Sequence, residues 1–319
     1  METTGKESAY RIMIGTMKIP GFWDTVHLVP PTPFEPSGKR LNTDRLASET
    51  RIAVDAGIQV IIPGAGTGEF HSLSEAEAVT VLETVAKAIA GQREVSLLAP
   101  VGLGIERAVR TGTIAKELGA AGLLVMPPVH PYLSDEGVAG YFETIRAETG
   151  MPLWVYKRGP IPSDAALVRL IESGLIAGVK YAVNDVQAVT SFVRDVAGRA
   201  EVVCGTAERF APFFHLAGAR GFTSGAAALF PRTSLKLHAA LDAGDLPEAM
   251  RLRAILEPLE NFRARQGDAL NISVIKAGLA ILGRGVGPAR LPNRPLTSGE
   301  IAELEAVVRR IQDFEDSIG

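Results

Sequence analysis

A lysine at the end of an apolar run is the first sign of chemistry in the chain. Lys180 closes the apolar segment 175–179. An amine among apolar walls has its charged form disfavoured, so its pKa falls and neutral amine becomes available near pH 7. A nucleophile that forms a Schiff base with a carbonyl compound requires that neutral form. Taken alone, the position favours the alternative of a lysine that ends a strand and reaches solvent.

A tyrosine occupies a similar position earlier in the chain. Tyr156 follows the apolar segment 153–155, and its phenol could carry a proton to and from a substrate. The alternative is a core aromatic ring whose hydroxyl reaches the rim.

A glycine-dense loop, residues 63–69, supplies a third candidate. Gly66 and Gly68 would let backbone N–H groups approach a ligand, and Thr67 adds a hydroxyl, so the loop could hold a carboxylate. A tight turn between a strand and a helix is the alternative. Glu69 could cap the next helix or hold the loop.

The elements that must position these residues alternate regularly. Continuous apolar runs, typical of parallel strands buried on both faces, predict eight strands: 25–30, 58–63, 95–100, 121–126, 152–156, 175–180, 201–204 and 219–223. Amphipathic segments between and after them predict eight helices: 42–56, 74–90, 105–118, 134–148, 163–173, 184–196, 207–217 and 232–242. The helix at 74–90 begins with a capping box of Ser74 and Glu77.

Eight strand–helix units predict an α/β fold, a (β/α)8 TIM barrel over residues 22–243. No Gly-x-Gly-x-x-Gly follows the first strand, which argues against a dinucleotide-binding sheet. Residues 1–21 are predicted as an N-terminal tail. Residues 244–319 contain no further strand pattern, and three helices packed on the barrel are expected there. Active sites of such barrels lie at the carboxyl ends of the strands, where Lys180, Tyr156 and the glycine loop fall.

Composition excludes several classes of protein. The 319 residues are 46% hydrophobic and 22% charged, with a net charge of −3, so no basic surface indicates nucleic acid. Cys204 is the one cysteine, which excludes an internal disulfide framework. No apolar run is long enough for a membrane span, and no His/Asp/Glu cluster has metal-ligand spacing. The expected location is cytoplasmic.

Five short motifs together resemble the dihydrodipicolinate synthase / N-acetylneuraminate lyase family over about residues 24–296. In chain order they are Thr32-Pro33-Phe34, Gly66-Thr67-Gly68-Glu69, Tyr156, Gly178-Val179-Lys180 and Gly221-Phe222-Thr223-Ser224-Gly225. The resemblance implies that Lys180 is the Schiff-base lysine, that Tyr156 is the catalytic tyrosine and that Thr67 lies in the loop that holds the carboxylate of a 2-keto acid. It implies no cofactor beyond the imine, and a homo-oligomer, commonly a dimer of dimers.

Within the family, several further segments are most similar to 5-dehydro-4-deoxyglucarate dehydratase: 66–73, 205–208, 273–278, 287–290, Pro292 and 296–297. We therefore expect a lyase that dehydrates, with decarboxylation, a keto-deoxy sugar acid. Gly205, Thr206, Ser224 and Arg158 are predicted to meet the substrate, with Lys157 as a further candidate at its distal end.

Three departures from the family pattern keep alternatives open. Lys157 stands where an asparagine is usual, Ile161 stands where the synthase branch has an arginine, and 128–131 replaces its tyrosine pair. The last two argue against lysine biosynthesis. A retro-aldol lyase that releases pyruvate remains an alternative, as does a synthase-like aldolase. The change at Lys157 is the main support for a catalytically silent barrel that binds a keto acid.

Overall fold

The computed structural model describes residues 23–318, so the predicted tail at 1–21 lies outside the described part of the chain. Eight strands are present: β1 (Val26–Leu28), β2 (Val60–Ile61), β3 (Ser96–Val101), β4 (Gly122–Val125), β5 (Leu153–Lys157), β6 (Ile176–Tyr181), β7 (Glu201–Cys204) and β8 (Phe222–Ser224). Each is followed by a helix: α1 (Thr43–Asp55), α2 (Glu75–Ala88), α3 (Ile105–Glu117), α4 (Asp135–Thr149), α5 (Asp164–Glu172), α6 (Val186–Val196), α7 (Ala207–Leu216) and α8 (Pro231–Asp242). Short 3-10 turns occupy Phe70–Ser72 and Ala226–Ala228.

The strands close into a barrel in sequence order, β1 through β8, with every pair parallel and β8 hydrogen-bonded to β1. This confirms the predicted eight-stranded barrel. Parallel neighbours require long crossover connections, and the helices between the strands provide them. No helix within 23–318 is both long and apolar enough to span a membrane.

Local signals in the sequence begin the helices where expected. The Asn42 side chain accepts the N–H of Arg45 at the start of α1. Ser74 and Glu77 form the predicted capping box at the start of α2. A side-chain cap of this kind typically stabilises a helix by about 1 kcal/mol.

The last strand begins later than the predicted 219–223. Gly221 has φ of +69°, which lies outside the strand region, and a Cβ there would lie 2.5 Å from the carbonyl oxygen of Thr25. Only glycine accepts that backbone, so the chain is still turning at this point and β8 starts at Phe222.

Apolar side chains form two layers around the strands. Leu98, Leu124, Trp154 and Tyr156 belong to a cluster inside the barrel. Neighbouring residues of the same strands, such as Val155, join the larger cluster between barrel and helices. Side chains alternate between the two faces of a strand, so every second residue faces the barrel interior.

Three long helices follow the barrel, α9 (Leu246–Arg263), α10 (Asn271–Ile281) and α11 (Ser298–Ser317), with a short helical segment at Arg265–Asp268 between α9 and α10. Their buried leucines, among them Leu256 and Leu304, are part of the same cluster as the outer barrel layer. The Glu315 carboxylate of α11 accepts the backbone N–H groups of Arg232 and Thr233 at the start of α8. The C-terminal helices therefore pack directly on the barrel.

A buried ion pair joins one of these helices to the glycine loop. Lys276 Nζ lies 2.6 Å from Glu69 Oε1, and both side chains are almost fully buried. The other Glu69 oxygen accepts the N–H of Arg290 at 2.7 Å, and Lys276 also donates to the carbonyl of Pro288. Glu69 therefore holds the loop, one of its two predicted roles, and ties it to α10 and the segment after it.

We expect Lys276→Met to lower the free energy of unfolding by about 3–5 kcal/mol, because the Glu69 carboxylate would be left buried without its cation. Urea denaturation measures the change. The double variant Glu69→Gln/Lys276→Met, which leaves no buried charge, is the control and should recover a large part of the loss. Equal stability of the single and double variants would contradict this account.

Candidate active site

A cavity of about 430 Å³ opens at the carboxyl ends of the strands. Most predicted site residues line it: Gly66, Thr67, Tyr156, Arg158, Lys180, Gly205, Thr206 and Ser224. A larger cavity, of about 550 Å³, lies outside the barrel between α1, α8 and the C-terminal helices, and none of the predicted residues lines it. The convergence of side chains from several strands makes the cavity at the mouth the candidate site.

Lys180 and Tyr156 occupy paired positions on β6 and β5. Lys180 Nζ lies 4.0 Å from the centroid of the Tyr156 ring. Only 4% of Lys180 and 8% of Tyr156 is exposed. The amine and the phenol ring therefore share the inner end of the cavity.

One residue pair forms the floor beneath them. Trp154 pairs with Gly178 one layer deeper in the barrel. A Cβ on Gly178 would overlap the six-membered ring of Trp154. The indole is 1% exposed and cannot move aside, so the glycine two residues before Lys180 makes room for it.

Burial lowers the pKa of the Lys180 amine, and the positive charge of Arg158 adds to that effect, while Tyr156 opposes it. A lowered pKa means more neutral amine at a given pH. The structure thus supplies the physical condition that a Schiff-base nucleophile requires.

The glycine loop presents Thr67 to the same cavity. Thr67 is 6% exposed, and no hydrogen bond of its hydroxyl is found within residues 23–318. The Thr32 hydroxyl, in the segment after β1, donates to the Gly68 carbonyl at 2.6 Å and so fixes the loop. Gly68 does not line the cavity; a Cβ there would lie 2.6 Å from the Gly64 nitrogen, so its part is to let the turn close.

The opposite wall comes from the ends of β7 and β8. Gly205 lies so close to β6 that a Cβ would lie 2.8 Å from the Tyr181 carbonyl oxygen. Thr206 places its hydroxyl 3.6 Å from the Cys204 sulfur. Burial raises the pKa of the Cys204 thiol to about 12, so the thiol stays protonated.

Ser224 also borders the cavity, but its hydroxyl is engaged elsewhere. It donates to Glu208 Oε1 at 2.5 Å and accepts the N–H of Ala227. Ser234 donates to the same Glu208 oxygen. Burial raises the pKa of Glu208 to about 7, with a contribution from the negative charge of Glu260. Glu208 lies within segment 205–208, one of those most similar to the dehydratase, but the sequence did not predict a role for its carboxyl group.

The two cations at the end of β5 have different surroundings. Arg158 lines the cavity, half exposed, with Asp268 at 3.4 Å. Lys157 lies on the other face of the strand, is buried, and donates to the carbonyls of Gly159 and Pro162. Lys157 is therefore not part of the cavity wall, and its earlier candidacy as a distal substrate contact finds no support.

Residues of the C-terminal helices complete the cavity and were not predicted. Glu260, Arg263 and Asn271 line it, and the Arg263 side chain bonds both of the others. A sequence signal was available only for Asn271, which lies two residues before the segment 273–278. Among the described residues no group of His, Cys, Asp and Glu is arranged to hold a metal ion.

Comparisons with known proteins show the family of the chain. The family model of the dihydrodipicolinate synthetase family matches residues 25–311. A probable 5-dehydro-4-deoxyglucarate dehydratase of Ralstonia nicotianae is 30% identical over 317 residues, which cover 98% of this chain and 97% of the relative. A second such protein, of Streptomyces avermitilis, is 32% identical and covers 88% and 91%.

Solved structures show the same architecture. Dihydrodipicolinate synthase from Oceanobacillus iheyensis has a TM-score of 0.88 and 30% identity, with 95% of this chain and 99% of that one covered. A sialic acid aldolase of Ruminococcus gnavus has a TM-score of 0.84 at 20% identity, covering 93% and 99%. The latter likeness concerns the fold alone.

We expect Lys180 to titrate below the ~10.4 of an ordinary lysine. Its acetylation by acetic anhydride, followed by peptide mass spectrometry across pH, measures the midpoint, with the exposed Lys236 as a monitor of reagent decay. Arg158→Gln should move the midpoint upward, because it removes a neighbouring positive charge. A wild-type midpoint at or above the ordinary value would be inconsistent with the described burial.

Proposed function

Since the chain belongs to the dihydrodipicolinate synthetase family and is a lyase of the class I aldolase superfamily, we propose that it dehydrates and decarboxylates a keto-deoxy sugar acid such as 5-dehydro-4-deoxyglucarate. The observation that carries the proposal is the Lys180 amine, buried against the Tyr156 ring at the barrel mouth. The names of the relatives supply the substrate.

The first step is formation of an imine. The neutral Lys180 amine attacks the C2 carbonyl of the keto acid, and the resulting carbinolamine loses water to give an iminium ion. The Tyr156 phenol, next to the amine, donates the proton that the departing hydroxyl takes up and later recovers one. No external cofactor is required, because the iminium itself accepts electrons.

The glycine loop holds the acid during this step. Thr67 offers a buried hydroxyl on the cavity wall, and backbone N–H groups of the loop are the other donors. Fixed donors of this kind orient the carbonyl toward the amine and need no rearrangement when charge develops.

The iminium then accounts for both later events. Loss of a C3 proton gives an enamine, whose electrons expel the C4 hydroxyl as water and leave a C3–C4 double bond conjugated with the iminium. Through that conjugation, the electron pair of the bond between C5 and the distal carboxylate can flow to nitrogen as CO2 departs. Protonation and hydrolysis return the free lysine and a five-carbon dicarbonyl product.

The retro-aldol alternative starts from the same iminium. Cleavage of the C3–C4 bond would release pyruvate. The likeness to solved synthase structures is the reason to retain this alternative. Ile161 in place of an arginine and the changed segment 128–131 argue against the synthase reaction itself. The silent-barrel alternative rested on Lys157, which lies away from the cavity and therefore gives it no support.

We also propose a homo-oligomer built as a dimer of dimers, which sedimentation would test.

Borohydride reduction in the presence of pyruvate should trap one adduct on Lys180, seen by intact mass and located by peptide mapping. Lys180→Ala should give none, whereas Lys157→Ala should still be labelled if folded. Absence of an adduct on the wild type, or its survival in Lys180→Ala, would refute the imine.

Incubation with 5-dehydro-4-deoxyglucarate should release one CO2 per substrate consumed and no pyruvate. Tyr156→Phe should lower kcat by about 10²–10⁴-fold, the usual contribution of a positioned acid–base group. Stoichiometric pyruvate without CO2 would instead establish the retro-aldol reaction.

A further inference from the structure

The cavity wall that faces the glycine loop carries an arginine from outside the barrel. Arg263 is the last residue of α9, yet it is 6% exposed and borders the cavity. A buried guanidinium is rare unless it is paired, and its position at the mouth of the barrel suggests a task beyond packing.

Gly225 brings this arginine next to Thr67. A Cβ built on Gly225 would lie 2.6 Å from Arg263 Nη2 and 3.1 Å from Thr67 Oγ1. The guanidinium and the threonine hydroxyl thus approach the same point from two sides. Glycine at 225 leaves that point open, and both groups line the cavity beside it.

The bonds of Arg263 fix its position without exhausting its donors. Nη1 donates to Glu260, and Nε and Nη2 both donate to the Asn271 side-chain oxygen, the latter at 2.7 Å. A guanidinium has five N–H donors, so at least two are unused by these three bonds. Thr67 likewise has a buried hydroxyl with no bond found within the described chain.

We propose that Arg263 and Thr67 together bind the carboxylate next to the carbonyl of the keto acid, so that α9 supplies a substrate-binding residue to the barrel. An arginine fork fits a carboxylate in its own plane, and Thr67 donates a further hydrogen bond. Glu260 and Asn271 act as positioning residues that hold the fork. The inference rests on the proposed imine chemistry and specifies how its substrate is held.

Selectivity between a carboxylate and its ester tests this assignment. Pyruvate and methyl pyruvate both carry the reactive ketone, but only pyruvate is an anion. The concentration of each that gives half-maximal borohydride trapping on Lys180 is measured, and adduct mass tells acid from ester. The wild type should select pyruvate.

The informative variant is Glu260→Gln/Arg263→Gln, which removes both charges of the buried pair and leaves none uncompensated. We expect half-saturating pyruvate to rise about 10- to 100-fold, as for loss of a hydrogen bond to a charged group, with methyl pyruvate little changed. Arg253→Gln/Glu257→Gln removes a more exposed ion pair on α9 that does not line the cavity, and should leave both values as in the wild type.

The outcomes separate this assignment from the proposed function. Absence of any wild-type adduct would refute the imine. Two results would overturn the role of Arg263 and leave the imine standing, provided that the wild type is trapped. One is unchanged selectivity in the double variant. The other is an equal rise in the half-saturating concentrations of pyruvate and methyl pyruvate. Arg263→Lys is made in parallel in case the double variant does not fold; it keeps a charge but loses the fork, so selectivity should fall several-fold, and unchanged selectivity would also overturn the proposal.

Discussion

Lys180 carries its amine on the inward side of a closed barrel, where water has little access. In water that amine would be an ammonium ion at neutral pH and could not attack a carbonyl carbon. Burial inside the closed ring of strands lowers the pKa of Lys180, because desolvation disfavours the charged form of the amine. The hydrogen-bonded closure of β8 on β1 completes the ring of strands that buries this amine.

The C-terminal helices contribute charged side chains to the glycine loop and to the cavity. Glu69 and Lys276 join the glycine loop to α10, and Arg263 reaches over the barrel mouth from α9. Both contacts involve buried charges, which cost free energy unless each is matched. The fold therefore keeps charged groups in two buried places, and both places adjoin Thr67 or its loop.

Much of this architecture was predictable, since apolar runs, helix caps and chain order carry local information. The barrel, the capping box at Ser74 and the convergence of Lys180 with Tyr156 followed from them. Side-chain direction near strand ends was harder: Ser224 turns its hydroxyl toward Glu208, and Lys157 lies on the far face of β5. Arg263 could not be predicted, because its approach to Gly225 depends on how α9 packs on the barrel and on a turn at Gln266 and Gly267, both at positive φ.

The contact between Gly178 and Trp154 has an evolutionary consequence. Strands β5 and β6 share one fixed volume beneath the Lys180 amine. Gly178 contributes only its backbone to that volume, and the Trp154 indole fills it. A larger residue at 178 becomes acceptable only after 154 has shrunk, and a smaller 154 alone leaves a void under Lys180. These two positions should therefore vary together in descendants of this chain, and their joint size would set how deep a substrate can sink into the barrel.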